Sequence, residues 1–144
     1  PLVGKSYTVQ YFERARFEYH PEFAGTEFEV LLGHMGRWAV AKRGIDPWAS
    51  SSTPKPGLTY FPETEHNMGA EFQQYWNSQG GLMSYGYPIS EPVRERNAED
   101  GKTYLVQYFE RARFEYHPEY AGTDAEGLLG LLGNEMLRER GWVR

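Results

Sequence analysis

Fourteen residues, Val9 to Glu22 (VQYFERARFEYHPE), recur letter for letter as Val106 to Glu119, so the chain is built from copies of one module. The match continues through Ala24-Gly25-Thr26 against Ala121-Gly122-Thr123 and Leu31-Leu32-Gly33 against Leu128-Leu129-Gly130, always 97 positions apart. An unchanged offset leaves no room for an insertion inside either copy. Repeated units ordinarily multiply a binding or scaffolding surface, because each copy adds avidity without new chemistry. The repeat therefore points to binding or assembly.

At 144 residues the chain suits one compact domain or two small units sharing a core, and its 40% hydrophobic content is modest. Eleven Tyr, eight Phe and four Trp compensate, since each ring buries a large area. A net charge of -5, with basic residues interspersed among acids, argues against a nucleic-acid partner. No stretch approaches the roughly 18 apolar residues needed to cross a bilayer, and Pro1-Leu2-Val3-Gly4-Lys5 does not read as a secretory leader. The absence of Cys removes disulfides, thiolate chemistry and Cys-based zinc sites.

The alternating segments Tyr104 to Phe109 and Phe114 to His117 predict a β-hairpin. With Phe109 opposite Phe114 and Gln107 opposite Tyr116, one face collects Leu105, Phe109, Phe114 and Tyr116 as core. The other carries Tyr104, Val106, Tyr108, Glu115 and His117, a mixed surface that the first copy repeats with Tyr7, Val9, Tyr11, Glu18 and His20. Pro118 ends the hairpin. Thr26-Glu27-Phe28-Glu29 and Thr123-Asp124-Ala125-Glu126 then fit capping boxes. Phe28, Leu31, Leu32, Met35, Trp38 and Ala39 follow at helical spacing, predicting a helix that ends near Gly44, with its counterpart ending near Gly141. Gly33, Gly36, Gly130 and Gly133 inside these stretches imply close approach of another backbone.

Between the copies, Ala49 to Gly57 (ASSSTPKPG) reads as a polar linker. Phe72, Tyr75 and Trp76 then mark a helix stopped by Gly80-Gly81, and Tyr85-Gly86-Tyr87-Pro88-Ile89-Ser90-Glu91 is a turn-forming lead into the hairpin. The expected architecture is α+β, a tandem repeat of an aromatic-rich hairpin plus a capped α-helix packed into one small domain. Residues 1–48 form a partial first repeat, 49–58 the linker, and 59–144 a complete second repeat of helix, turn, hairpin and helix. Copy one reads as a back half, a segment of a longer array.

The segment from Gly81 to Pro118, with Trp76 before it, resembles the LGFP repeat of bacterial exported and cell-wall proteins. Tyr85 to Glu91 stands in the named position of that pattern, and Gln107, Phe109, Glu110 and Pro118 fall where its hairpin part expects them. Arg111-Ala112 replaces the usual Gly-Gly at the hairpin tip, and the following helix is longer than in a minimal unit. The longer form also looks like repeats in secreted bacterial multidomain proteins. The resemblance implies an extracellular or cell-envelope location and attachment to envelope polymers.

The strongest ligand candidates are Tyr11, Glu18 and His20 in one copy and Tyr108, Glu115 and His117 in the other. Flat rings beside donors and acceptors suit a stacked pyranose; the competing reading packs this face between modules. Arg14, Arg16, Arg111 and Arg113 suit either an acidic polymer or cross-strand ion pairs with Glu13, Glu18, Glu110 and Glu115. His20, His34, His66 and His117 match no metal-ligand spacing, although pseudosymmetry offers a route to bring His20 and His117 together. No carboxylate pair flanks a predicted cleft and Ser90 lacks a nucleophile elbow, so no catalytic residue, metal or cofactor is expected. The sequence thus predicts a non-catalytic module binding cell-wall or extracellular polysaccharide. Its rival is a structural subunit whose partners are other copies of the same module.

Overall fold

The computed structural model describes residues 6–26, 30–47, 51–97, 100–120 and 127–141. It is a mixed α+β fold of three small antiparallel sheets and four helices among those residues. The first sheet has the order β1 (Thr8–Tyr11), β2 (Arg16–Tyr19), β3 (Val30–Leu32) and is followed by α1 (Met35–Lys42). A two-stranded hairpin, β4 (Thr59–Phe61) and β5 (His66–Met68), leads into α2 (Ala70–Ser78) and α3 (Gly81–Tyr85). The four-stranded sheet β6 (Val93–Arg96), β7 (Thr103–Tyr108), β8 (Arg113–Tyr116), β9 (Gly127–Leu129) comes next, and α4 (Leu132–Glu139) closes the chain. β2, β3 and α1 lie 97 positions ahead of β8, β9 and α4, and Gln10↔Phe17 and Phe17↔Leu32 have the same registers as Gln107↔Phe114 and Phe114↔Leu129.

The hairpin register differs from the expected one by two residues: Gln107 faces Phe114, and Tyr108 faces Arg113. Phe109 instead pairs with Ala112, its amide donating to the Ala112 carbonyl at 2.8 Å, which leaves a two-residue loop. A two-residue slip preserves strand parity, so each side chain keeps its face. Leu105, Phe109, Phe114 and Tyr116 therefore pack as expected, against Phe72, Tyr75 and Tyr85 of α2 and α3. The opposite face is also interior. Tyr104, Val106 and Tyr108 pack on Met35, Ala39 and Val40 of α1 and on Leu132 and Met136 of α4. The four-stranded sheet is thus a middle layer between two helix pairs.

The helices begin later than the capping boxes predict. Thr26 Oγ1 donates back to Phe23 O at 2.6 Å, Val30–Leu32 is a strand on β2, and α1 starts only at Met35. Glu27 to Glu29 and Thr123 to Glu126 lie outside the described residues. Leu31 and Leu32 share helical spacing with Met35 and Trp38, but β2 offers an unsatisfied edge, and Gly33 N extends that ladder to Arg16 O at 2.7 Å. Neither α1 nor α4 has a side-chain N-cap. In α1 the role falls to main chain from the other half: Arg37 N donates to Glu110 O at 3.1 Å. Gly36 permits this seat, since a Cβ there would stand 1.5 Å from Phe109 O.

Reciprocal contacts join the halves. Arg14 donates to Leu129 O and Arg111 to Leu32 O. Arg43 lies over the Tyr108 ring at 5.5 Å, and Arg140 over the Tyr11 ring at 5.6 Å. The segment between the halves is tied down: Ser52 N donates to Glu65 O at 2.7 Å and Lys55 N to Asn67 Oδ1 at 3.0 Å. Gly36→Ala should cost at least about 3 kcal/mol in urea denaturation, because backbone cannot yield to the methyl. Gly25→Ala, with φ of 82° and nothing within 4 Å, should cost only about 1 kcal/mol from left-handed strain.

Candidate functional site

Strand alternation puts Tyr108, Glu115 and His117 on the face covered by α1 and α4, so this trio lies inside the fold rather than on a mixed surface. Tyr108 has no exposed surface, and its hydroxyl donates to the Glu95 carboxylate at 2.7 Å. Burial, reinforced by that bond, pushes the phenol well above its ordinary pKa. Glu115 is held by Arg113 and by Asn97 Nδ2 at 3.1 Å, and its other oxygen lies 3.2 Å from His117 Nε2. His117 Nδ1 is 3.3 Å from Glu119, and its ring is 4.4 Å from that of Tyr104. Arg113 also reaches Glu95 at 3.1 Å. This is a satisfied internal network, with the Arg113 Nε alone lacking a partner among its members.

Copy one carries the same chain of groups, and Glu18 and His20 are buried there as well. Arg16 pairs with Glu18, Glu18 Oε1 lies 3.2 Å from His20 Nε2, and the His20 ring is 4.2 Å from Tyr7. Burial raises the Glu18 pKa, but the Arg16 and His20 hydrogen bonds outweigh it and the net shift is downward. His20 Nδ1 sits 3.5 Å from Glu22 without making a hydrogen bond. Tyr11 is half-buried under Arg140, lies opposite Arg16, the partner of Glu18, and is hydrogen-bonded to that guanidinium; it does not line the cleft that Glu18 and His20 face.

Glu18 and His20 line a cleft of about 550 Å³ that opens between the halves. The start of α1 contributes His34, Arg37 and Trp38, and the opposite hairpin turn contributes Arg111. Burial, then the Arg111 charge, lowers the His34 pKa to about 4. Arg37 is committed to Glu110, with Nη2 2.5 Å from Oε2. Arg111 donates to Leu32 O and has no carboxylate ion pair among the described residues, while burial lowers its own pKa. The cleft thus combines an indole, two imidazoles of which His34 is kept neutral, the guanidiniums of Arg37 and the half-buried Arg111, and one carboxylate, Glu18.

The sequence reading named Glu18 and His20 as ligand candidates, weighed Arg111 for an acidic polymer and His34 only among possible metal ligands, and did not reach Arg37 or Trp38. The available signal was the place where the copies diverge: 97 positions on, His34, Arg37 and Trp38 become Leu131, Asn134 and Glu135. Glu135 there serves a different purpose, binding Arg43 at 2.8 Å. Among the described residues, no group of three or more His, Asp and Glu is placed to hold a metal ion, and no helix is long and apolar enough to cross a membrane. Compared with known proteins, the chain matches no family model, no curated protein and no solved structure.

His34 makes stability depend on pH. Its pKa is 6.5 ordinarily and about 4 when folded, so below pH 6.5 the unfolded chain takes up a proton that the folded chain refuses. Stability from this group is complete above pH 6.5 and falls as pH drops toward 4. His34→Leu, which installs the residue found at position 131, should flatten that slope in urea melts between those pH values.

Proposed function

We propose that the chain is a tandem pair of one strand–strand–strand–helix unit packed into a single domain, acting as a non-catalytic extracellular or cell-envelope module that binds surface glycan polymers. The matched registers and the reciprocal arginine contacts support the tandem reading. The cleft carries the glycan reading: the half-buried Trp38 offers a flat ring, His34 and Arg111 stand beside it as donors, and Glu18 lies behind them, bonded to Arg16 and His20. Arg111 favours a sugar bearing a carboxylate, because its guanidinium is bonded to the Leu32 carbonyl and makes no close ion pair with a carboxylate among the described residues. Only one carboxylate lines the cleft among the described residues, which supports binding over hydrolysis. The LGFP-like features of residues 81–118 agree with an envelope role.

Binding is read by calorimetric titration of uronic-acid-containing and neutral oligosaccharides. Trp38→Ala, with its fold checked by circular dichroism, should weaken acidic-glycan binding about tenfold, equivalent to about 1.4 kcal/mol. Failure of both glycan classes to bind the unaltered chain would overturn the glycan reading. A second reading, a structural subunit assembled by packing between modules, is favoured by exposed rings on the first sheet, where Phe12, Phe17 and Tyr19 are all open. Light scattering on the dilute chain tests it, since a stable monomer argues against obligate assembly.

A further inference from the structure

The same sequence meets two environments. In β8, Phe114 is fully buried, whereas Phe17, its counterpart 97 positions earlier within the identical run, is 39% exposed. Phe109 is fully buried and Phe12 is 44% exposed; Gln107 is fully buried and Gln10 is exposed. Tyr19 and Val30 extend the same open face, because Tyr19↔Val30 and Phe17↔Leu32 are paired neighbours.

The second half shows what such a face accepts. Phe72, Tyr75 and Tyr85 stand edge-on to Phe114, with ring centroids 5.9, 5.4 and 4.9 Å away. Gln107 donates to Asn67 O and Ser90 O, both at 2.8 Å, and accepts from Gly69 N at 2.9 Å. Pro88 to Ser90 run beside the end of β7: Ile89 N donates to Tyr108 O at 2.8 Å, and Tyr108 N to Ser90 Oγ at 3.0 Å. Every one of these partners comes from residues 67–90. The open face also continues into an existing interface, since a groove of about 340 Å³ runs from Phe17, Val30 and Leu32 to Met83 and Tyr85 of α3.

We propose that the exposed face of β1–β3 is a docking site for a helix pair of the α2–α3 kind, carried by a segment with the pattern of residues 59–97. Its aromatic inner edge would enclose Phe17 and Phe12, a backbone carbonyl pair would take the Gln10 amide, and a Pro-Ile-Ser strand would lie along the end of β1. This inference deepens the tandem-repeat reading and rests on it, independently of any glycan. It identifies the occupant from the contacts that the same Gln, Phe, Phe and Tyr side chains make elsewhere in the molecule, with Thr8 in place of Leu105 and Val30 in place of Gly127 at the margins of the face.

The test joins a second copy of residues 59–97 directly to Pro1 of the full chain, reproducing the spacing that Asn97 has to position 98. In the parent chain, Phe17→Ala should leave the thermal midpoint nearly unchanged while Phe114→Ala lowers it strongly. In the fusion, Phe17→Ala should become as damaging as Phe114→Ala, and the environment-sensitive dye ANS should lose fluorescence relative to the parent. A fusion whose added segment stays protease-sensitive, with Phe17→Ala still neutral, overturns the proposal. So does a parent chain that self-associates through this face and is made monomeric by Phe17→Asp, because a second copy would then be the occupant. Superposition of residues 8–42 on 105–139 in an experimental structure of the parent tests the tandem reading separately, and can succeed while the fusion fails.

Discussion

The seat of α1 on the turn between β7 and β8 is the contact from which the rest of the arrangement follows. Gly36 meets Phe109 O without a side chain between them, and Arg37 N uses the Glu110 carbonyl as its helix cap. That contact fixes the angle of α1 across the sheet, so that Met35, Ala39 and Val40 reach Val106 and Tyr108. It also holds His34, Arg37 and Trp38 opposite Arg111, which opens the cleft. Glu110 consolidates the turn from its other side: its carboxylate accepts from Tyr87 N at 3.0 Å and pairs with Arg37. Burial would raise the Glu110 pKa, and these partners reverse the direction.

Much of the second half was legible because strand parity is robust. Leu105, Phe109, Phe114 and Tyr116 share a face in either register, and Phe72, Tyr75 and Trp76 declare α2 by spacing. The three-residue strands β3, β4, β5 and β9 are too short for an alternation to show. β6, Val-Arg-Glu-Arg, reads as a charged stretch, and its Glu95 acquires meaning only beside Tyr108 and Arg113. The site was less legible. Glu18 and His20 were found with Glu115 and His117 because the letters are identical, yet identity of sequence carries no information about which copy is covered.

The buried Arg–Glu–His groups illustrate how charge is accommodated in an aromatic-rich fold. Arg113, Glu115 and His117 lie among Tyr104, Tyr108 and Tyr120, and each charge has an opposite or polar neighbour. Such a network contributes little net stability relative to an apolar core, because desolvation cancels most of the attraction. Its directional bonds do discriminate among registers, since a shifted strand would leave a carboxylate or guanidinium buried alone. Glu91 fills a comparable role at β5, lying 2.8 Å from His66 Nδ1 and accepting from Asn67 N at 3.0 Å.

The mutual exchange of arginines between the halves has a consequence for chain continuity. Arg14 and Arg111 each grip the other half's backbone, and Arg43 and Arg140 each cap the other half's tyrosine, so these contacts do not require the two halves to be covalently joined. The connecting residues, bonded at Ser52 and Lys55 to the β4–β5 hairpin of the second half, then also raise the local concentration of one half at the other. Scission within that connection would turn an intramolecular fold into a bimolecular one held by the same bonds, with stability becoming a function of protein concentration.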